Sequence, residues 1–358
     1  MGAIRGWTGS PIISKSLIVA AFLGFLLVVF LILHSGAAEV GDAMLAVGWW
    51  LVPITLFHII PVYFDAVSWR TLFPAKGRSE ERPSPDGLRR PGLMSFLWMR
   101  WIRESVSSLL PVAGVGGDVV GARLVHQRGV SGAQATASMV VDITVGTATQ
   151  LVFVLVGVGL LTAKQTHDAA ATAWGLTAGV AIFAAAIAVF IRLQHMSMFG
   201  VLIGWAHRLA PTSWMSGFTG RAEAIDGAVV ATYRRRLALS YSSLLRLVGW
   251  VSGVGEVWLT MWALGKPLTV TDSFILESLS AGVRGAAFMV PGALGAQEGG
   301  LVLFGGLLGV PPDLALAVSL TKRVRELALG LPGLAAWQWI EGRRWIARRA
   351  EKANSTSP

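Results

Sequence analysis

Along this chain, apolar residues gather into long runs, and charged residues collect in the short segments between them. Crossing a bilayer takes about 20 mostly apolar residues in a helix. Six stretches meet that requirement, at 15–34, 44–64, 133–162, 172–192, 240–264 and 313–340. Two further regions, Leu93 to Val130 and Asp272 to Val310, are apolar but interrupted by proline and glycine. The first contains Leu109-Leu110-Pro111 and Gly116-Gly117-Asp118, and the second contains Pro291-Gly292, Gly295 and Glu298-Gly299-Gly300. Each reads as helix, break, helix. The pattern predicts an all-α polytopic membrane protein with about six transmembrane helices plus two re-entrant broken hairpins. A pair of interfacial helices, or two ordinary crossings, is the other reading of each broken region.

Charge fixes an orientation. The segment Arg70 to Arg128 holds Lys76, Arg78, Arg82, Arg89, Arg90, Arg100, Arg103 and Arg123. A later one holds Arg208, Arg221 and Arg234-Arg235-Arg236, and the chain ends in Arg343, Arg344, Arg348, Arg349 and Lys352. The alternate loops, 35–43, 163–171 and 265–273, contain only Lys164 and Lys266 as basic residues. Basic loops face the cytoplasm, so both termini are expected there, in a bacterial cytoplasmic (inner) membrane. The clusters at 234–236 and 343–349 could also attract anionic head groups. Ser79 to Pro91 reads as a flexible cytoplasmic loop. Composition agrees: 54% of the 358 residues are hydrophobic and 14% charged, and the mean hydropathy is +0.61. The net charge of +10 lies between apolar runs, not on one face of a soluble domain, so nucleic acid is not an expected partner. There are no cysteines, which excludes disulfides and thiolate chemistry. The run Ser16 to Leu33 is long enough to be a retained span and lacks a convincing small-residue cleavage site.

The two broken regions align with Pro111 over Pro291, 180 residues apart. The same offset places Asp118 over Glu298, Glu104 over Arg284 and Asp142 over Lys322. The chain then divides into a cytoplasmic N-terminus (1–14), one membrane domain of two halves (15–162 and 172–340), and a basic tail (341–358). The halves start on opposite sides, which makes an inverted-topology repeat of the kind found in secondary transporters. Opposite charges at pseudo-symmetric positions predict ion pairs Glu104–Arg284 and Asp142–Lys322.

Ionisable groups inside a span mark functional sites, because each costs several kcal/mol unless paired or hydrated. Asp142 and, two turns on, Gln150 lie in the third span. Arg246 and Glu256 lie in the fifth, with Gly249 and Gly253 between them in small-xxx-small spacing that permits close helix contact. The sixth span, about 40 Å long at 1.5 Å per residue, carries Lys322-Arg323-Val324-Arg325-Glu326 near its middle. Lys322 and Glu326 are one turn apart and are expected to pair. Arg323 and Arg325 are left for Asp118, Asp142, Glu256, Glu298 or a substrate phosphate, which a guanidinium grips bidentately; a structural charge network is the alternative. His58, between Pro53 and Pro61, reads as a hydrogen-bonded core histidine before a proton relay. Fifteen tryptophans, among them Trp49, Trp50, Trp98, Trp101, Trp337 and Trp339, suit an interfacial belt.

Several chemistries are missing from the sequence. It has no Gly-x-x-x-x-Gly-Lys-Ser/Thr loop, His-Glu-x-x-His or Gly-x-Ser-x-Gly motif, and no cofactor or metal is expected. The stretches Glu104-Ser105, Leu109-Leu110-Pro111, Gly116-Gly117-Asp118, Ala137-Ser138 and Val140-Val141-Asp142 resemble the flippase-like membrane domain of lysylphosphatidylglycerol synthases. So do Pro291-Gly292 to Gly300 and Leu320 to Glu326. More narrowly, the whole chain resembles the hopanoid-biosynthesis-associated membrane proteins of that family, which carry the domain alone. The resemblance implies a lipid-handling domain without aminoacyl transfer, since no transferase domain follows Ile340. The expected function is to move or position an amphiphilic lipid, phospholipid or hopanoid, between leaflets. The path would be lined by Glu104, Pro111 to Asp118, Asp142, Gln150, Arg246, Glu256, Arg284, Pro291, Gly295, Glu298, Lys322, Arg323, Arg325 and Glu326. The expected partners are membrane lipids and lipid-biosynthetic enzymes. A non-transporting scaffold, or an intramembrane enzyme using Asp118, Asp142 and Glu298, are the rival functions.

Overall fold

A computed structural model describes residues 37–74, 91–110, 116–164, 216–287 and 290–355, all of whose elements are helical. The spans expected at 15–34 and 172–192, the tip residue Pro111 and most of the 79–91 loop lie outside them.

The first described helices, α1 (Ala37–Val47), a 3-10 turn (Gly48–Trp50), α2 (Leu51–Phe57) and α3 (Ile59–Thr71), run almost end to end. They replace the span expected at 44–64 and convert part of the 35–43 loop to helix. Ala37, Ala38 and Ala43 are apolar helix formers, while Glu39 and Asp42 lower the hydropathy there. Next come α4 (Leu93–Leu109) and α5 (Gly116–His126), the legs of the first broken hairpin, followed by α6 (Gly132–Lys164). The basic stretch after the fourth expected span contains α7 (Ser216–Arg234), which packs on α6. A single residue, Arg235, separates α7 from α8 (Arg236–Ala263). Its guanidinium donates to the carbonyls of Leu72 (2.7 Å) and Phe73 (3.2 Å), satisfying the chain just after α3. The second hairpin consists of α9 (Val270–Ala286), a 3-10 turn (Pro291–Ala293) and α10 (Ala296–Leu307). The last helix, α11 (Pro312–Ser355), continues well past Ile340 and contains Pro332.

Among the described residues, three segments are long and apolar enough to cross a membrane by length and composition: Val40–Thr71, Gly132–Lys164 and Arg236–Ala263. The exterior is apolar, and charged residues are buried alongside an apolar core. Leu45, Val52, Leu237, Leu244, Leu303 and Leu331 are more than half exposed, while Asp142, Glu256, Glu298 and Arg325 are buried. An apolar exterior around a charged interior is stable in lipid, where the exterior costs nothing to expose.

Small residues bring the helices together. Ser68 of α3 and Ser242 of α8 exchange hydroxyl-to-carbonyl bonds of 2.9 and 3.1 Å, so the two backbones nearly touch. A side-chain carbon at Gly255 would lie 2.4 Å from the Phe57 ring, and one at Gly333 would lie 2.0 Å from Ser105 Oγ. Of the two glycines expected to pack, Gly249 does, against Phe64 and Asp65, whereas Gly253 has only Glu277 Oε1 nearby, at 3.8 Å. The starts of α5 and α6 at 116 and 132 recur at 296 and 312 in α10 and α11, keeping the 180-residue offset. α4 packs on α11 and α6 on α9, so the two broken regions lie against helices of the opposite half.

Candidate functional site

The helices surround a cavity of about 210 Å³ lined by many charged side chains. α3 contributes Asp65, and the joint between α2 and α3 contributes His58. α4 supplies Arg100 and Glu104, α6 Gln150, α8 Glu256, α9 Glu277 and Arg284, α10 Gln297, and α11 Lys322 and Arg325. Most of these side chains belong to a nearly continuous chain of alternating acids and bases.

One end of that chain is Asp118, in the first turn of α5. Its Oδ1 accepts from Arg103 Nε at 2.7 Å, and Arg103 also pairs with Asp142. Asp142 is fully buried, and the same carboxylate oxygen accepts from Arg246 Nη2 at 2.9 Å. Arg246 reaches Asp65 at 2.6 Å, and Asp65 also holds Arg100 at 2.6 Å. Arg100 lies 3.6 Å from Glu104, one turn along α4. Glu104 bonds His58 Nε2 at 2.7 Å, and His58 Nδ1 meets Glu256 at 2.5 Å. Glu256 pairs with Arg325 at 2.6 Å, and Arg325 approaches Glu326 at 3.7 Å. Glu326 forms ion pairs with Arg284 at 2.7 Å and Arg323 at 3.0 Å, and Arg323 ends the chain on Glu298 at 3.0 Å. A separate pair, Lys322–Glu277, lies beside it.

Local sequence explains these placements. In α4, Arg100, Arg103 and Glu104 fall on adjacent positions of one helical face by i, i+3, i+4 spacing. Gly117 lets α5 lie flat on α4, since a side-chain carbon there would sit 2.3 Å from the Arg103 carbonyl oxygen; that packing aligns Asp118 with Arg103. At the second break, Gly292 and Gly295 have φ of 61° and 78°, which favours glycine. Glu298 then accepts the Gly295 backbone N–H at 2.8 Å, capping α10, and a bond from Ser319 Oγ at 3.1 Å. The start of α10 is therefore occupied by the protein's own carboxylate. Arg323 also donates to the Gly292 carbonyl at 2.6 Å, tying the tip to α11. The end of α4 meets the turn of the second hairpin, with Ser108 O beside Gly292, and a second cavity of about 190 Å³ lies there between Glu104, Ser107, Ser108, Arg284 and Gly292.

The expected site residues thus largely converge. Glu104, Asp118, Asp142, Arg246, Glu256, Arg284, Glu298, Arg323, Arg325 and Glu326 all lie on the chain, Lys322 lies beside it, and Gln150 lines the cavity while donating to the Ala281 carbonyl at 2.7 Å. The expected pairings are corrected. Glu104 meets His58 and Arg100, not Arg284; Asp142 meets two arginines, not Lys322; Lys322 turns to Glu277, not Glu326. Charges on α4, α8 and α9, and the His58 imidazole, lie closer to these residues than the expected partners do. Gly116 and Gly117 serve as the start and the packing surface of α5, and Pro291 and Gly295 shape the second break. Six contributors were missed: His58 as more than a core residue, Asp65, Arg100, Arg103, Glu277 and Gln297. Arg100 and Arg103 had been read as loop charges that set topology, and their spacing with Glu104 on one apolar helix was the available signal.

The family model described as "Lysylphosphatidylglycerol synthase TM region" matches residues 15–333, and the chain belongs to that family, as an integral membrane domain related to lipid biosynthesis. No curated protein and no solved structure matches it.

Proposed function

We propose that this member of the lysylphosphatidylglycerol synthase TM-region family moves or positions an amphiphilic lipid between leaflets, accepting the head group in the cavity between the hairpins while the tails stay in the bilayer. The observation that carries this reading is a charge-lined cavity reached by α3, α4, α6, α8, α9, α10 and α11 within an apolar exterior. A head group leaving water for the bilayer core needs groups that replace its hydration. Arg284, about a third exposed, and Glu104, similarly exposed, line both the main cavity and the space between the hairpin tips. They offer one cation and one carboxylate to an entering head group. The lining favours a lipid with a polar or ionic head over a polycyclic apolar body, so a phospholipid fits better than the ring system of a hopanoid.

The proposal includes entry of the two hairpins from opposite membrane faces, as an inverted repeat, in a bacterial inner membrane with both termini cytoplasmic. The shared starts at 116, 132, 296 and 312 support the repeat. An enzymatic role is disfavoured because Asp118, Asp142 and Glu298 each hold a guanidinium, which leaves none of them poised as a general acid or base. Purified protein in liposomes containing fluorescent phosphatidylglycerol or phosphatidylethanolamine tests the reading by dithionite bleaching. Faster exchange between leaflets than in protein-free vesicles is expected, and it should be lost in Arg325→Ala. No acceleration for either lipid would remove the support for transport.

A further inference from the structure

We propose that His58 is a proton-binding site at the centre of the charge chain, and that release of its proton transfers an Arg325 hydrogen bond from Glu256 to the imidazole. Charge balance is the first argument. The connected chain from Asp118 to Glu298 holds seven carboxylates and six guanidinium groups, and the adjacent Lys322–Glu277 pair cancels itself. One negative charge is left over in a low-dielectric interior, where an uncompensated ion costs several kcal/mol. Among the described residues, His58 is the further titratable side chain that ion-pair distances join to this chain, and it sits between two of its carboxylates. A proton there makes the network neutral.

The second argument is the geometry at Nδ1. This atom lies 2.5 Å from Glu256 Oε1 and 2.6 Å from Arg325 Nη1. A bond to the carboxylate needs a proton on Nδ1, and a bond from the guanidinium needs a lone pair there, so one atom cannot satisfy both. With the proton, Nδ1 donates to Glu256 and Nε2 to Glu104. Without it, Nε2 still donates to Glu104, while Nδ1 accepts from Arg325. The groups facing His58 from each packed element are Asp65 on its own segment, Arg100 and Glu104 on α4, Glu256 and Arg246 on α8, Glu277 and Arg284 on α9, and Lys322, Arg325 and Glu326 on α11. Among them, only Glu104, Glu256 and Arg325 touch the ring.

The third argument is position. His58 occupies the joint between α2 and α3, and Pro61, one turn on, lacks the N–H that would bond back to Phe57. His58, Glu104 and Arg325 also form the shared wall between the main cavity and a smaller one that extends toward Leu329 and Gly330. A proton that changes which groups this wall binds is placed to link protonation to head-group passage. That link rests on the transport reading above; the proton site itself does not.

The test uses the full chain labelled with 15N-histidine. At pH 8 a free imidazole, with a reference pKa of about 6.5, is almost wholly neutral. One imidazolium signal at pH 8, absent from His58→Gln, is expected from the six histidines. Glu104→Gln removes the surplus carboxylate and keeps the ring, so the same signal should be lost there while the protein still elutes as wild type. A neutral His58 in the wild type at pH 8, or an imidazolium that persists in Glu104→Gln, overturns the proton site. In liposomes carrying fluorescent phosphatidylglycerol, an imposed pH gradient should alter the wild-type rate, and His58→Gln should lose that response. A gradient-insensitive wild type that moves the lipid overturns the coupling. A wild type that moves no lipid overturns the transport reading instead, and the histidine spectrum still decides the proton site.

Discussion

At the scale of single residues, this protein is governed by the cost of burying charge. Asp142 has no exposed surface and serves two arginines through one oxygen, and its other oxygen lacks a protein partner. Asp142→Asn leaves Arg103 and Arg246 buried with only Asp118 and Asp65 to balance them. Breaking a buried pair from one side costs about 3–5 kcal/mol, so a marked fall in thermal stability, read by fluorescence-detected gel filtration after heating, is expected. Arg123 makes the contrast. It forms a two-pronged pair with Glu341 but is 40% exposed, and exposed pairs contribute about 0–1 kcal/mol. Arg123→Gln should shift the same melting curve little. Equal effects from both substitutions would show that burial is not what ranks these pairs.

At the scale of elements, glycine positions decide how close the helices come. Gly255 admits the Phe57 ring, and Gly253, two residues away, faces the cavity with nothing nearer than 3.8 Å. Gly255→Ala should therefore force α8 away from α2, at a cost of about 1–3 kcal/mol for overpacking, while Gly253→Ala should leave stability unchanged or slightly raised. Thermal melting of the two variants side by side gives the answer. The element pattern was partly legible in advance. The helix–break–helix reading of 93–130 and 272–310 matches α4–α5 and α9–α10, because proline and glycine interrupt apolar periodicity in a way few other residues do. The helix 216–234 was not read, since its moderate hydrophobicity falls below that of a span and its basic residues suggested a loop.

At the scale of the whole molecule, the question is which face is which. The chain has no cysteine, so each introduced cysteine is a unique reporter. Arg128 and Lys266 are both exposed, and the charge asymmetry places them on opposite sides. In intact cells, a membrane-impermeant maleimide should label Lys266→Cys, and it should label Arg128→Cys only after permeabilisation. Labelling of both from outside would overturn the orientation and, with it, the opposed entry of the hairpins.

The sequence by itself determined that this is a membrane protein, where its two breaks fall, and which residues could not face lipid. Those properties follow from local composition: an apolar run, a proline, a charge within a helix. Glu104, Asp142, Arg246, Glu256 and Arg325 were identifiable because an ionisable group in such a run needs a partner wherever the chain goes. Only the tertiary structure decided what those partners are. Glu256 meets His58 across 198 residues, and Arg325 meets the same imidazole across 267. No periodicity encodes such separations. They depend on glycine-sized gaps that set which helices touch, and electrostatic pairing in a low dielectric then selects the nearest opposite charge, whatever its place in the sequence.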